Sequence, residues 1–120
     1  MDSSVLIQKL RAQRERWVTV GEGKRVCLIR PPEAEMIRFV GKGGMQVELE
    51  HLRDYVTGWQ GITEADLIGE AVGTSDPVPF TRELWTEVIS DRLAWVKLLG
   101  TELLQSIAEH RLSLQDAEKN

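Results

Sequence analysis

The chain has 120 residues, of which 42% are hydrophobic and 28% are charged. This length and composition predict a single domain over residues 1–120, and they exclude a disordered or fibrous chain. No apolar run approaches the ~20 residues that a membrane-spanning helix needs, and the first residues lack the pattern of a secretory signal. We therefore expect a cytoplasmic protein with no membrane partner.

The net charge of −4 hides a difference between the two parts of the chain. Residues 1–30 contain seven Lys or Arg against three Asp or Glu, a local charge of +4. Residues 31–120 contain eight basic against sixteen acidic residues, a local charge of −8. The acidic body argues against wrapping of nucleic acid, so any such contact would have to use the N-terminal segment.

Residues 1–16 are predicted to form a basic helix. Ser3 or Ser4 is a suitable N-cap, and Leu6 and Leu10 lie on one face of the helix. An apolar stripe this thin stabilises a helix only when it docks on the body of the protein, on another copy or on a partner. The side chains that could contact phosphate groups are Lys9, Arg11, Arg14 and Arg16.

Two short runs rich in β-branched residues predict a β-hairpin over residues 17–31. The runs flank the glycine-containing loop 21–24, which is typical of a hairpin turn. Pro31 ends the second strand because proline has no backbone N–H to donate. Cys27, the single cysteine, has apolar neighbours in this strand, and we expect a buried thiol in a reducing compartment.

The segment 32–58 is predicted to contain two helices. The first covers residues 33–40, because Pro32 suits the first turn of a helix and two glutamates follow near its positive end. A strand over residues 36–40 is the alternative. The side chains of this helix that would face inward are Met36, Ile37 and Val40.

The second helix of this segment begins after the glycines of residues 41–44. Its apolar residues recur every three or four positions, as on one face of an α-helix. Gly58 would end it as a left-handed cap, since glycine adopts positive φ without steric cost. The apolar face consists of Met45, Leu49, Leu52, Val56 and Trp59.

The rest of the chain is interpreted as an acidic connector and a pair of helices. Residues 59–80 contain glycine and acidic residues and have room for a helical turn near Thr63, and we expect them to be mobile. Residues 81–114 have the longest helical periodicity, with Thr81 as N-cap and a break allowed near the middle. Residues 115–120 are predicted to fray. These elements predict an α+β fold, mainly α: a small N-terminal β-hairpin followed by a helical bundle with a long C-terminal helix or helix pair.

The titratable residues form no recognisable catalytic or metal-binding pattern. His51, His110 and Cys27 are far apart in the sequence, and both histidines are expected at the surface. The glycine loops 21–24 and 41–44 lack the spacing of a phosphate-binding P-loop. We therefore expect no enzyme activity, no cofactor and no metal. A catalytic pair of Cys27 with either histidine is the least supported alternative.

Four tryptophans in 120 residues make the aromatic residues of this chain unusual. Trp17 on a strand and Trp95 on a long helix are expected in the core. Trp59 and Trp85 flank the connector, and Phe80 is placed to form a hydrophobic staple with Trp85. Trp59, Phe80 and Trp85 are therefore the predicted partner-binding residues.

Two stretches of the sequence resemble the tail assembly chaperones of long-tailed bacteriophages and prophages. They are Tyr-Val-Thr-Gly-Trp-Gln-Gly-Ile at residues 55–62 and Asp-Pro-Val-Pro-Phe-Thr-Arg-Glu-Leu at residues 76–84. In that family a short helix runs into a Gly-Trp-x-Gly turn and then into a Pro-Phe-Ser/Thr helix start. The match covers residues 47–90 and does not include the N-terminal helix and hairpin.

The resemblance implies a non-catalytic protein of the bacterial host cytoplasm that binds the tape measure protein, or another phage tail protein, during tail assembly. The apolar helices of the partner would lie in a groove bordered by Trp59, Phe80 and Trp85. One alternative is a structural head–tail connector or tail-completion protein. Another is a small DNA-binding regulator that uses the basic helix. A homo-oligomer is compatible with each of them.

Overall fold

The computed structural model describes residues 2–119, and helices make up 54% of these residues against 20% for strands. The predicted α+β class, mainly α, is therefore confirmed. The predicted helix over residues 1–16 and the predicted tail over residues 115–120 each include one terminal residue, Met1 and Asn120 respectively, that lies outside the described residues.

The N-terminal helix is shorter than predicted, and the β-hairpin begins earlier. Helix α1 (Ser3–Ala12) is capped by the side chain of Asp2 instead of a serine. Strand β1 (Glu15–Gly21) pairs antiparallel with β2 (Lys24–Ile29), and Gly23 in the turn has φ 70°. The last residues of the predicted helix are drawn into β1 because they pair with the end of β2. The predicted hairpin is confirmed.

The first helix predicted after the hairpin is a 3₁₀ helix (Glu33–Phe39). Met36 and Phe39 are its buried residues, whereas Ile37 and Val40, which were predicted to face inward, are 76% and 63% exposed. A 3₁₀ helix has three residues per turn, so residues three apart share a face. The inward face therefore carries Met36 and Phe39, and the prediction for Ile37 and Val40 is wrong.

The second helix predicted in the segment 32–58 is replaced by a small hairpin, a short helix and a strand. Gly58 is a strand residue opposite Cys27 and does not cap a helix. The strand joins the sheet on the side of β2 opposite β1, so that β2 is the central strand of three. The elements are β3 (Val40–Gly41), β4 (Gly44–Met45), α2 (Leu49–Asp54) and β5 (Val56–Gln60).

A β-bulge explains why the apolar residues of β5 have the spacing expected of a helix. The pairing of β2 with β5 skips Thr57, so the alternation of the strand shifts by one residue at this point. Val56 and Trp59 are consequently both buried although they are three residues apart. A spacing of three or four is the signal of a helix face, and the bulge produces the same spacing in a strand.

The predicted acidic connector contains α3 (Glu64–Ile68), whose N-cap is Thr63. Backbone hydrogen bonds close the segment on itself: Glu64 N donates to Asp76 O at 3.0 Å, and Ala65 N donates to Thr74 O at 2.8 Å. The connector is therefore a folded loop with a helical turn at the predicted place.

Two helices complete the chain. Helix α4 (Arg82–Ser90) starts at the predicted cap, where the Thr81 hydroxyl accepts a hydrogen bond from Leu84 N at 3.1 Å. The predicted break follows α4, and α5 (Leu93–Lys119) is one long helix. It continues past residue 114 because the residues that follow are good helix formers with no glycine or proline. None of the helices within residues 2–119 is long and apolar enough to cross a membrane.

The core lies between the sheet and helices α2, α4 and α5. Strand β2 is central in the sheet, and three successive residues of it are buried. From the helices, α5 contributes side chains spaced by four, which is the periodicity predicted for it. The fully buried side chains include Leu28, Leu52, Trp85, Leu99, Leu103 and Ile107.

Candidate protein-binding site

The structure brings together the three aromatic residues that were predicted to bind a partner. The ring centroid of Trp59 lies 5.4 Å from that of Phe80 and 6.3 Å from that of Trp85, and both pairs are edge to face. Phe80 and Trp85 are 6.1 Å apart, as expected for a hydrophobic staple. Trp95 stacks on Trp85 at 6.3 Å and extends the cluster.

This aromatic cluster belongs to the core and does not form an open groove. Trp85 is fully buried, and Trp59 is only 9% exposed. Both indole N–H groups have internal acceptors, since Trp85 Nε1 donates to Leu52 O at 2.9 Å and Trp59 Nε1 donates to Val78 O at 2.6 Å. The predicted groove is corrected accordingly, because β5 places Trp59 beneath α4 instead of at an exposed helix end.

Trp17, which was expected in the core, is the tryptophan with an exposed ring. It lies on β1, an edge strand of the sheet, and 38% of its surface is exposed. The guanidinium of Arg25 on the neighbouring strand lies 5.0 Å from the centre of the Trp17 ring, a cation–π contact. The two side chains cover each other on the outer face of the hairpin.

His51 is buried and structural, in contrast to the surface position expected for it. Only 3% of the residue is exposed. Its Nδ1 accepts a hydrogen bond from Glu48 N at 2.9 Å, and its Nε2 lies 3.1 Å from Arg38 O. This is a capping box in which His51 takes the place of the usual Glu or Gln. Glu48 and His51 have the spacing of a capping box but not its usual residue types, so the sequence pattern did not reveal it.

The four basic residues of the predicted nucleic-acid contact are separated by the structure. Lys9 and Arg11 lie on α1, where they are exposed, and Arg14 follows this helix. Arg16 lies instead on β1, where its guanidinium forms ion pairs with Glu102 at 3.4 Å and with Glu109. Because these carboxylates occupy Arg16, only the other three basic side chains remain for a basic surface.

An apolar groove opens between the 3₁₀ helix and the C-terminal part of α5, and it is called the 3₁₀/α5 groove below. Its volume is about 400 Å³. Ile37 and Val40 are its most exposed apolar residues. Both residues were predicted to face inward on an α-helix, whereas Ile37 lies on the outer face of the 3₁₀ helix and Val40 lies on β3. The apolar walls of the groove consist of Met36, Ile37, Val40, Met45 and Leu114.

The rim of the 3₁₀/α5 groove carries both signs of charge. Glu33 lies at the start of the 3₁₀ helix, and its carboxylate is 2.9 Å from Nε2 of His110 on α5. Arg111, the next residue on α5, also lines the groove. His110 is partly exposed at the surface, as predicted, and its contact with Glu33 connects the two walls.

Cys27 is buried, as predicted, with 2% of its surface exposed. Burial raises the pKa of the Cys27 thiol above its ordinary value, and a hydrogen bond with Thr57 opposes this only in part. A thiol is nucleophilic as the thiolate, so this environment suppresses its reactivity. Within residues 2–119, no group of three or more His, Cys, Asp or Glu side chains is arranged to hold a metal ion.

The geometry of the 3₁₀/α5 groove is suited to contact with a partner of matching shape. Its apolar walls can exclude water from an apolar side chain, and its charged rim can orient a partner. No protein-family model, curated protein or solved structure matches this chain. The exposed apolar residues of the groove are the structural feature that points to a binding surface.

Proposed function

We propose that this protein is a tail assembly chaperone of a bacteriophage or prophage, and that it binds an apolar helix of the tape measure protein in the 3₁₀/α5 groove. The observation that carries the proposal is the exposure of Ile37 and Val40, at 76% and 63%, on one wall of the groove. Adjacent apolar side chains with this exposure, bordered by charges, are typical of protein-binding sites.

The composition of the groove favours a helix as the bound segment. Two of its wall residues, Met36 and Met45, have flexible, polarisable side chains that adapt to different apolar partners. A groove between two helical elements accepts the apolar stripe of an amphipathic helix, with side chains every three or four residues as anchors. A tape measure protein is a long helical protein with such stripes, as the family resemblance implies.

The resemblance over residues 47–90 supports the same function through the scaffold of the domain. The Pro-Phe-Thr helix start is realised as the cap of α4 at Thr81 and the staple of Phe80 on Trp85. Gly61, the last glycine of the Gly-Trp-x-Gly pattern, has φ 77° and forms the turn after β5. The residues that carry the resemblance thus stabilise the fold. The proposed binding residues are different ones, in the 3₁₀/α5 groove.

The proposal is tested by co-expression of the protein with a helical fragment of the tape measure protein encoded beside it. We expect the wild-type chain to keep the fragment in the soluble fraction. The variant Ile37→Asp/Val40→Asp should bind it about 100-fold more weakly, since two desolvated apolar contacts are lost. The matched control is Val72→Asp/Leu93→Asp, which changes two equally exposed apolar residues outside the groove, at 72% and 66% exposure.

Two results would reject this function. Equal precipitation of the fragment with and without the wild-type chain would rule out the chaperone activity. Equal loss of binding in both double variants would rule out the groove as the binding site. Recovery of the protein in purified virions would favour the alternative of a structural connector or tail-completion protein over a chaperone.

A further inference from the structure

Helix α1 exposes an apolar stripe. Leu6, Ile7 and Leu10 share one side of the helix, and each of them is between 47% and 49% exposed. Every residue of α1 is exposed in this structure. A helix of ten residues is marginally stable in water by itself, so its order depends on a surface that covers the stripe.

A second groove, between α3 and α4, has the complementary form and is called the α3/α4 groove below. Its volume is about 450 Å³. The floor is apolar, and Ile68 on its wall is 56% exposed. The carboxylates of Glu87 and Asp91 lie on the rim, and both residues are exposed. The apolar lining consists of Leu67, Ile68, Leu84 and Val88.

The charges of α1 match those of the α3/α4 groove. At 100° per residue, Lys9 and Arg11 stand on the two sides of the apolar stripe of α1. An apolar stripe between two cations therefore faces an apolar floor with two carboxylates on its rim. Arg92 also lines this groove, and its guanidinium is directed toward the backbone of α3, where it donates to Asp66 O at 2.8 Å and Leu67 O at 3.3 Å.

The α1 helix cannot reach the α3/α4 groove of its own chain. Arg30 N donates to Arg14 O at 2.8 Å and holds the start of β1. Lys24, beyond the other end of β1, forms an ion pair with Asp66 of α3 at 2.7 Å. The seven residues of β1 separate these points by about 20 Å, whereas a helix places Leu6 only about 12 Å from Arg14. The partner that fits is a second copy.

We propose that α1 of one copy lies in the α3/α4 groove of a second copy, with Lys9 and Arg11 against Glu87 and Asp91. Each copy then donates one helix and accepts one. The contact covers the apolar stripe of α1 and brings the basic N-terminal segment onto the acidic body. It uses a different surface from the 3₁₀/α5 groove and does not rest on the proposed function.

Charge exchange between two variants of the full chain tests this contact by analytical ultracentrifugation. We expect the wild-type chain to self-associate and to dissociate at high salt, because salt screens the four charges. Lys9→Glu/Arg11→Glu and Glu87→Lys/Asp91→Lys should each associate at least tenfold more weakly. An equimolar mixture of the two should associate again, since each altered helix then meets a groove of opposite charge.

Two further variants serve as controls. Glu50→Lys/Glu118→Lys makes the same change in net charge as the groove variant at exposed positions elsewhere, and it should associate like the wild type. Ile37→Asp/Val40→Asp should also associate normally, which separates this contact from the tape measure site. Circular dichroism of each variant verifies its fold.

Three outcomes would overturn the proposal. They are a wild-type chain that stays monomeric, whether or not α1 binds DNA or the tape measure fragment, groove variants that associate normally, and a mixture of the charge-exchanged variants that stays dissociated.

Discussion

Gly61 lies directly against the backbone of Gly23, so closely that a Cβ atom on Gly61 would be 2.1 Å from the carbonyl oxygen of Gly23. The turn after β5 thereby packs on the turn between β1 and β2. This contact brings α3 beside the hairpin, where Lys24 pairs with Asp66 at 2.7 Å. The close approach requires a residue without a side chain.

Replacement of Gly61 by alanine should therefore destabilise the fold. We expect Gly61→Ala to lower the free energy of unfolding by about 2–4 kcal/mol, through its φ of 77° and the clash with Gly23. Gly58→Ala is the matched control, because a Cβ there would meet no other heavy atom within 4 Å, and it should change stability by less than about 1 kcal/mol. Urea denaturation measures both, and equal effects would contradict the contact.

Trp85 should be required for folding. It is fully buried and donates to Leu52 O, so Trp85→Ala should lower the free energy of unfolding by about 3–5 kcal/mol. Leu93→Ala, at an exposed position, should change it by less than about 0.5 kcal/mol. Thermal denaturation followed by circular dichroism measures the difference. If Trp85→Ala kept its stability but no longer bound the tape measure fragment, the result would support the partner-binding role predicted for Trp85 from the sequence.

Asp66 should make stability depend on pH in the acid range. The ion pair with Lys24, and the hydrogen bonds from Thr63 N at 2.8 Å and Thr63 Oγ1 at 2.9 Å, hold the pKa of the Asp66 carboxyl below its ordinary value. The stabilisation is present above the pKa of the unfolded state and is lost as pH falls through the lower pKa of the folded state.

The variant Asp66→Asn isolates this carboxylate. It should be less stable than the wild type by about 1 kcal/mol at pH 7, which is the size of a capping interaction. The difference in stability between the two proteins should shrink as the pH falls below the ordinary pKa of an aspartate carboxyl group. Glu22→Gln, an exposed carboxylate in the hairpin turn, serves as the control. A difference between Asp66→Asn and the wild type that stays constant down to about pH 2 would contradict the ion pair.

The Cys27 thiol should react slowly in the folded protein. Because it is 2% exposed and burial raises its pKa, labelling by a maleimide requires opening of the sheet. We expect the rate at pH 7 to be at least about 100-fold lower than in 8 M urea. The control, Cys27→Ser with Ser75→Cys, carries its thiol at an exposed position and should react at nearly the unfolded rate. Fast labelling of Cys27 in the native chain would place β2 at the surface.

Features that depend on neighbouring residues were predictable from the sequence. The hairpin turn at Gly23, the cap at Thr81 and the break after Ser90 are all present in the structure. Each depends on backbone and side-chain groups within about four residues, so the local pattern contains the information. The same reasoning holds for the regular apolar spacing in α5.

Features that depend on distant strands were not predictable in this way. β5 has the spacing of a helix face, and only its pairing with β2 and the bulge at Thr57 make it a strand. The exposure of Trp59 was mispredicted for the same reason, since a helix would have left Trp59 at its exposed end. The candidate site was missed for a related reason, because Ile37 lies on the outer face of the 3₁₀ helix and Val40 lies beyond that helix, on β3.

The sequence by itself determined the mainly α class, the hairpin, the start of α4 and the break between α4 and α5. It also revealed the opposite charges of the N-terminal segment and the body. Only the tertiary structure decided that the predicted aromatic groove is core and that two other grooves have apolar linings. The physical reason is that local hydrogen bonds set where an element begins and ends, whereas burial depends on which elements, distant in sequence, pack against it.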